Sequence, residues 1–414
     1  MKSLGVIVEY NPFHNGHLFH LTQSKEAARA DVVIAVMSGQ FLQRGEPALV
    51  SKWTRTKMAL ASGVDVVVEL PYAFATQKAE VFASGSISIL SALKCDTVCF
   101  GSEQGKIEDF YRTLHIMEEH KDSYDRNVQR YMKEGYSFPK ASSLAFIQLT
   151  EDKEHILDLT KPNNILGYHY IKAIMEQNSS LKGLTIERTA AGYHDPTFNE
   201  TSIASATSIR KHIFGNNGDF EKVQRFVPPK TYELLSLYYK QTGSFHRWED
   251  YFTLLKYRIL CSTSSELAEI YEVEEGLENR LQQTIKESHS FHEFMTRLKT
   301  KRYTWTRLQR VCTHILTNTK KEVMLAVSAK KQSEYIRLLG MSQKGRAYLS
   351  KVKKDLDIPL VAKVSGINST MLEMDVRATQ TYAMKFDEPS RSHWMQQEFS
   401  RPPIRYHEEE ETFD

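Results

Sequence analysis

The stretch Leu4-Gly5-Val6-Ile7-Val8-Glu9-Tyr10-Asn11-Pro12-Phe13-His14-Asn15-Gly16-His17 decides the fold. Its first five residues form a short apolar run rich in β-branched side chains, the pattern of a buried strand. Asn11-Pro12 closes the strand as a turn, because a residue before proline is pushed out of the helical region. The residues that follow start a helix, and two histidines three apart in its first turn face one side. Free N–H groups and the dipole at a helix start favour an anion. Two imidazoles, with a glycine that admits a ligand closely, make this turn a cradle for a triphosphate. Taken singly, the same residues describe a surface helix with solvated histidines. The order strand, turn, motif, helix favours the cradle, with His14 mostly exposed at its mouth.

Working outward, strand patterns recur over 32–37, 66–69 and 97–100, with helix patterns over 16–30, 52–61 and 79–93 between them. Strands separated by helices predict an α/β fold with a Rossmann-like parallel sheet and right-handed crossovers. Ligands of such sheets bind beyond the carboxyl ends of the strands. The strand-end clusters Glu9-Tyr10-Asn11-Pro12, Ser38-Gly39-Gln40, Glu69-Leu70-Pro71 and Gly101-Ser102-Glu103 are therefore expected on one crevice. Residues 105–160 read as a helical insertion, 163–176 as a helix and 184–188 as a strand. A polar loop follows Ala190-Ala191-Gly192, and a helix starts near Ser205. The expected domains are a catalytic unit over 1–240, a mostly helical basic unit over 241–390 and a flexible tail over 391–414, whose end is acidic.

The 414 residues suffice for a large core, and 41% hydrophobic with 25% charged residues is ordinary for a globular chain. No apolar run approaches the roughly 20 residues needed to span a bilayer, and no secretion signal opens the chain. The cysteines (Cys95, Cys99, Cys261, Cys312) show no metal-ligand spacing. They suit a reducing cytoplasm, with Cys95 and Cys99 as core thiols. No metal site is predicted on the protein. Neither a P-loop nor a Gly-x-Gly-x-x-Gly motif stands near a strand.

Further polar clusters fall at element ends. Ser205-Ala206-Thr207-Ser208-Ile209-Arg210 puts hydroxyls at a helix start and an arginine one turn on, a set that either caps the helix or grips phosphate. Asn163 and Asn164 follow Pro162 at another helix start, where one amide caps and the other is free to meet a ligand. Arg188-Thr189 ends a strand on the same edge. The loop Gln40-Phe41-Leu42-Gln43-Arg44-Gly45-Glu46-Pro47-Ala48 is either a binding loop or a structural one. Lys52 and Arg55 open a helix against its dipole, a mild cost that hints at an anionic partner.

Net charge is +3 overall, yet residues 297–354 hold sixteen Lys/Arg against two acids. Within that stretch Lys299, Lys301, Arg302, Arg307 and Arg310 interleave with Tyr303 and Trp305. Cations that neutralise phosphates beside rings that stack on bases are the composition of a nucleic-acid surface.

His-x-Gly-His after a first strand resembles the signature of the class I nucleotidyltransferase superfamily, to which class I aminoacyl-tRNA synthetases are related. Ser205 to Arg210 resembles its second signature, with Ala206 where serine is usual. No Lys-Met-Ser-Lys-Ser loop is present, which disfavours a synthetase. The longer runs Val8 to His17, Met37 to Ala48, Glu69-Leu70-Pro71, Phe100 to Glu103, Lys161 to Gly167 and Lys301 to Arg310 resemble the bacterial tRNA(Met) cytidine acetate ligase family. That resemblance implies an enzyme that activates acetate with ATP, releases pyrophosphate, and acetylates N4 of the wobble cytidine of elongator tRNA(Met). It implies nucleotide contacts at Ile7, Val8, Glu9, Tyr10, Asn11, Pro12, Phe13, His14, Asn15, Gly16, His17, Leu18, Phe19, His20, Gly101, Asn163, Arg188 and Thr189, with Ser205 and Thr207 beside the phosphates. His14, His17 and Arg210 would act on the phosphates with Mg²⁺, and the 299–310 stretch would meet tRNA. A coenzyme-forming adenylyltransferase shares the N-terminal motifs but leaves the basic half unexplained. A non-enzymatic RNA-binding protein leaves His14, His17 and Arg210 unexplained.

Overall fold

The computed structural model describes residues 1–136, 138–149, 155–188, 204–215 and 220–414. Among the described residues nine strands form one sheet: β1 (Ser3–Val8), β2 (Val32–Ser38), β3 (Val66–Leu70), β4 (Thr97–Ser102), β5 (Lys182–Glu187), β6 (Ile336–Ser342), β7 (Leu360–Val361), β8 (Ile404–His407) and β9 (Thr412–Phe413). The order is β5-β4-β1-β2-β3-β6-β8-β9, with β7 beside β6. The first five strands are mutually parallel, as the alternating pattern predicts. β2 is buried along its whole length. Val32, Ile34 and Val36 join the apolar layer on one face, and Val33, Ala35 and Met37 the layer on the other. A central strand covered on both faces needs such an unbroken apolar run.

Helices Asn15–Ala28, Lys52–Ala61 and Ala79–Ala92 make the crossovers within a few residues of their predicted ends. The insertion is helical, as Ile107–Glu119, Lys121–Lys133 and Phe138–Ile147, and Val128, Ala141 and Ala145 form a small core of its own. Cys95, Cys99 and Cys312 are buried free thiols. Among the described residues, no helix is long and apolar enough to cross a membrane.

One expectation for the C-terminal half is corrected. The 241–390 segment is mostly helical, as expected, and also contributes β6, which pairs antiparallel with β3. The 391–414 segment is not a flexible tail. It forms most of the helix Ser390–Ser400 and then β8 and β9, which extend the sheet past β6. The physical reason is a buried partner: Glu398 is 1% exposed and accepts from Lys52 Nζ at 2.9 Å, which an acidic composition gives no means of foreseeing.

Candidate nucleotide site

The strand ends do meet at one edge, but half of that edge is filled by the protein itself. Arg55 lies buried between β1 and β2. Its guanidinium donates to the carbonyls of Glu9 (2.8 Å), Ser38 (2.9 Å), Gly39 and Val50. Lys52 donates to both Glu69 oxygens, at 2.8 and 2.7 Å, and to Glu398. The anionic partner hinted at by these two cations is thus internal: carboxylates and strand-end carbonyls.

The other half lies over β1, β4 and β5, where the helix Asn15–Ala28 packs. Ile7 and Val8 finish β1, Tyr10 turns the chain at φ 49°, and Asn11-Pro12 is a cis peptide. Tyr10 and Phe13 are buried against each other, with ring centroids 4.6 Å apart, and wedge the edge of His17. Asn11 is 3% exposed. Its Oδ1 accepts the Leu49 N–H at 2.7 Å, while its Nδ2 has no partner. His14 is the N-cap of Asn15–Ala28. Its Nδ1 accepts the Gly16 N–H at 3.0 Å, and His17 Nδ1 accepts the His14 N–H at 3.3 Å. The two rings stack at 3.7 Å. Because both Nδ1 atoms are occupied as acceptors, the neutral rings carry their protons on Nε2, which leaves two N–H donors side by side. Asn15 Nδ2 donates to the Arg225 carbonyl at 3.0 Å, and Leu18 and Phe19 continue the helix.

His14 is only 6% exposed, contrary to the expectation of a mostly exposed residue. Burial, then the nearby Arg188 and Arg210, pulls its pKa down to about 3. Burial and Arg188 pull His20 to about 4, and burial, His14, Arg188 and His20 hold His17 well below its ordinary value. The three imidazoles are therefore neutral at pH 7.

Gly101 leaves room for this cluster. A Cβ there would lie 2.9 Å from Arg188 Cγ and 3.6 Å from His20 Cδ2. Arg188 Nη1 donates to Asn163 Oδ1 at 3.3 Å. Neither asparagine caps its helix with its side chain; the Glu103 carboxylate does so instead, accepting the N–H of Asn163 (3.4 Å) and Asn164 (2.9 Å). Asn164, 1% exposed, takes the N–H groups of Glu103 and Gln104 on its Oδ1 and is structural. Glu103 carried no role in the sequence reading. The usable signal was an acid one strand-end away from an uncapped Pro-Asn helix start.

Arg210, on the helix Ala206–Gly215, reaches the motif across 199 positions: Nη1 donates to the Asn11 carbonyl at 2.8 Å. Its Nη2 donates to Glu46 at 2.9 Å, a partner that spacing does not reveal. Ser205 caps its own helix, its Oγ accepting the Ser208 N–H at 3.1 Å, and Thr207 is exposed. No contact among the described residues brings either to the histidines. Thr189 and Ala190-Ala191-Gly192 lie outside the described residues.

The donor set does not suit a resident Mg²⁺. Among the described residues, no group of three or more His, Cys, Asp and Glu side chains is placed to hold a metal. Glu9 accepts from the Gln43 N–H, Glu46 is paired with Arg210, and Glu103 caps a helix.

The loop after β2 ties this site to the basic half. Phe41 and Pro47 bridge across it, and Glu9 and Arg210 hold its near side. On its far side the Gly45 carbonyl accepts from Trp248 Nε1 (2.9 Å) and Thr313 Oγ1 (2.8 Å), and the Arg44 carbonyl from Gln309 Nε2 (2.9 Å). The helix Trp305–Leu316 is thereby bolted to the site. Lys299, Lys301 and Arg302 are exposed beside it. Three arginines come already paired: Arg302 with Glu275, Arg307 with Glu274, and Arg310 with Glu272 at 2.7 Å. Tyr303 is 5% exposed, with its hydroxyl on the Glu274 carbonyl at 3.3 Å. It is a core residue and not the stacking platform expected of it. Trp305 is half-buried, its Nε1 on Gln309.

Comparison with known proteins identifies the arrangement. The HIGH Nucleotidyl Transferase family model matches residues 1–398. A tRNA(Met) cytidine acetate ligase from Halalkalibacterium halodurans is 52% identical over 407 residues, 98% of this chain and 97% of that protein. The chain belongs to this ligase family. The Bacillus licheniformis tRNA(Met) cytidine acetate ligase is 50% identical over 100% of this chain and 99% of its own length. Thermotoga maritima TmcAL bound with alpha-thio ATP superposes with a TM-score of 0.88 at 34% identity, covering 98% of this chain and 99% of that one. Its apo form gives 0.89.

Proposed function

We propose that this chain is an ATP-dependent tRNA(Met) cytidine acetate ligase, in which acetate displaces pyrophosphate from ATP and cytidine then displaces AMP. The observation that carries this reading is the near-complete match to ligases of that name, together with paired Nε2–H donors at a helix start. In the first step a carboxylate oxygen of acetate attacks the α-phosphorus, the bond to the β-phosphate oxygen breaks, and acetyl-adenylate forms. Neutral His14 and His17 donate to the departing phosphates, and Arg210, anchored on the Asn11 carbonyl, supplies positive charge. Magnesium arrives on the triphosphate as part of the substrate. The nucleoside would sit beside Gly101, where Arg188 and His20 close over the backbone and Asn163 is hydrogen-bonded to Arg188; Thr189, its other expected contact, lies outside the described residues.

In the second step the cytosine N4 amine attacks the acetyl carbonyl, the mixed anhydride breaks, and AMP leaves with the electron pair. An exocyclic amine is a weak nucleophile, which is why an activated acyl group is needed. The wobble position of elongator tRNA(Met) is a fitting target because an anticodon-loop base is already unpaired. In this reading residues 1–240 perform the chemistry, and the exposed Lys299 and Lys301 of the 241–390 unit meet the tRNA backbone beside Trp305, while Arg302, Arg307 and Arg310 stay with Glu275, Glu274 and Glu272.

Isotopic ATP–pyrophosphate exchange tests the first step. Acetate-dependent exchange without tRNA is expected; its absence in enzyme that still acetylates tRNA overturns the two-step order. Nucleoside mass analysis of tRNA incubated with ATP and labelled acetate tests the product, expected as one acetyl group on cytidine.

A further inference from the structure

A cavity of about 640 Å³ opens among the helices Lys52–Ala61, Pro229–Thr242 and Ser390–Ser400. Its lining shares no residue with the histidine cluster, Gly101, Asn163, Arg188 or Arg210. The volume is that of a small-ligand pocket. Trp53 and Tyr238, each 2% exposed, close its floor, and the half-buried Trp394, edge-on to Tyr238 with centroids 5.7 Å apart, offers its ring to the space.

The charges are one-sided. Lys57 and Arg401 line the cavity, and no carboxylate does. Lys57 Nζ sits 5.0 Å from the Phe413 ring. Arg401 stacks 5.5 Å over Trp53 and donates to Gln397 at 3.2 Å. These are neutral partners, and neither cation is in a salt bridge among the described residues. Burial holds both below their ordinary pKa, and for Lys57 the Arg401 guanidinium adds to the effect. Behind the cavity wall the fully buried Arg337 lies 6.0 Å over the same Trp53 ring, its Nη2 3.9 Å from the Glu398 carboxylate. Lys57 and Arg401, like charges partly desolvated and without a salt-bridge partner among the described residues, are costly to hold, and an anion bound between them removes that cost. An accessible indole beside a cation pair matches a flat heterocycle that carries a phosphate.

We propose that this cavity is a second nucleotide-binding site, which takes one nucleoside monophosphate unit with its base against Trp394 and its phosphate on Lys57 and Arg401. A free mononucleotide and a single nucleotide of a bound RNA present the same chemistry. The inference stands independently of the acetate-ligase reading.

Intrinsic fluorescence tests it, because two of the four tryptophans line the cavity. CMP and AMP are titrated into the full-length protein, and into the Lys57→Gln/Arg401→Gln double variant. In parallel, the affinity of both proteins for tRNA is measured. The double variant is expected to lose about tenfold in affinity for its ligand, the scale of one charge-assisted contact, while ATP–pyrophosphate exchange is unchanged. Saturable quenching by a mononucleotide, reduced by Trp394→Phe, assigns the site to a free nucleotide. A loss of tRNA affinity without mononucleotide quenching assigns it to RNA. If neither quenching nor tRNA affinity differs between the two folded proteins, the proposal is overturned.

Discussion

His14 does two jobs at once. Its Nδ1 holds the Gly16 N–H as the helix cap, and its Nε2 is left for the ligand. His14→Ala therefore removes a cap worth about 1 kcal/mol as well as a phosphate donor. We expect ATP–pyrophosphate exchange to fall by about two orders of magnitude, with a measurable drop in the urea midpoint. The imidazole cluster also sets a pH dependence. His14 and His20 have folded-state pKa values of about 3 and 4, against 6.5 when exposed. Between those values the unfolded chain binds more protons, so stability is complete above about pH 6.5 and drains as pH falls toward 4, by about 1.4 kcal/mol per pH unit per histidine. Urea denaturation at pH 7 and pH 5 checks this, and His20→Asn should shallow the slope. The His14/His17 spacing was readable from the chain because it is a property of one helical turn. Their neutrality was not, because Arg188, Arg210 and the burial that depresses them come from distant segments.

At the scale of elements, the loop 40–48 shows how a connection fixes two neighbours. Gly45 has φ +75°, and a Cβ there would lie 2.6 Å from the Arg310 N. Gly45→Ala is expected to cost about 1–3 kcal/mol and to displace the helix Trp305–Leu316. In assays, tRNA acetylation should fall further than pyrophosphate exchange. Beneath the loop, Lys52 neutralises Glu69 and Glu398 inside the protein. Lys52→Met leaves the buried Glu69 without its cation and Glu398 with only Arg337 at 3.9 Å, a loss of about 3–5 kcal/mol readable by denaturation at neutral pH. The strands and helix starts here followed from periodicity and turn residues. The pairing of an early helix with a glutamate 346 positions later had no local trace.

For the molecule as a whole, charge counted along the chain is not charge available to a partner. The 297–354 stretch is strongly basic, but Arg302, Arg307 and Arg310 face Glu275, Glu274 and Glu272. Lys299→Gln and Lys301→Gln should each reduce the salt-dependence slope of tRNA binding by about one unit. Arg310→Gln, half-hidden and paired, should instead lower stability and leave that slope nearly unchanged. Salt titration of tRNA affinity separates the two cases.

Periodicity, turn residues and donor chemistry, all properties of neighbours a few positions apart, were enough to place the parallel sheet, the histidine turn and the helix that carries Arg210. Folding alone settled which cations remain free, which face of His14 is hidden, and that the final residues complete the sheet. Those outcomes depend on contacts such as Arg210 with Asn11 and Gln309 with Arg44, which are 199 and 265 positions apart. Packing and burial create such contacts, and neither leaves a periodic mark on the chain.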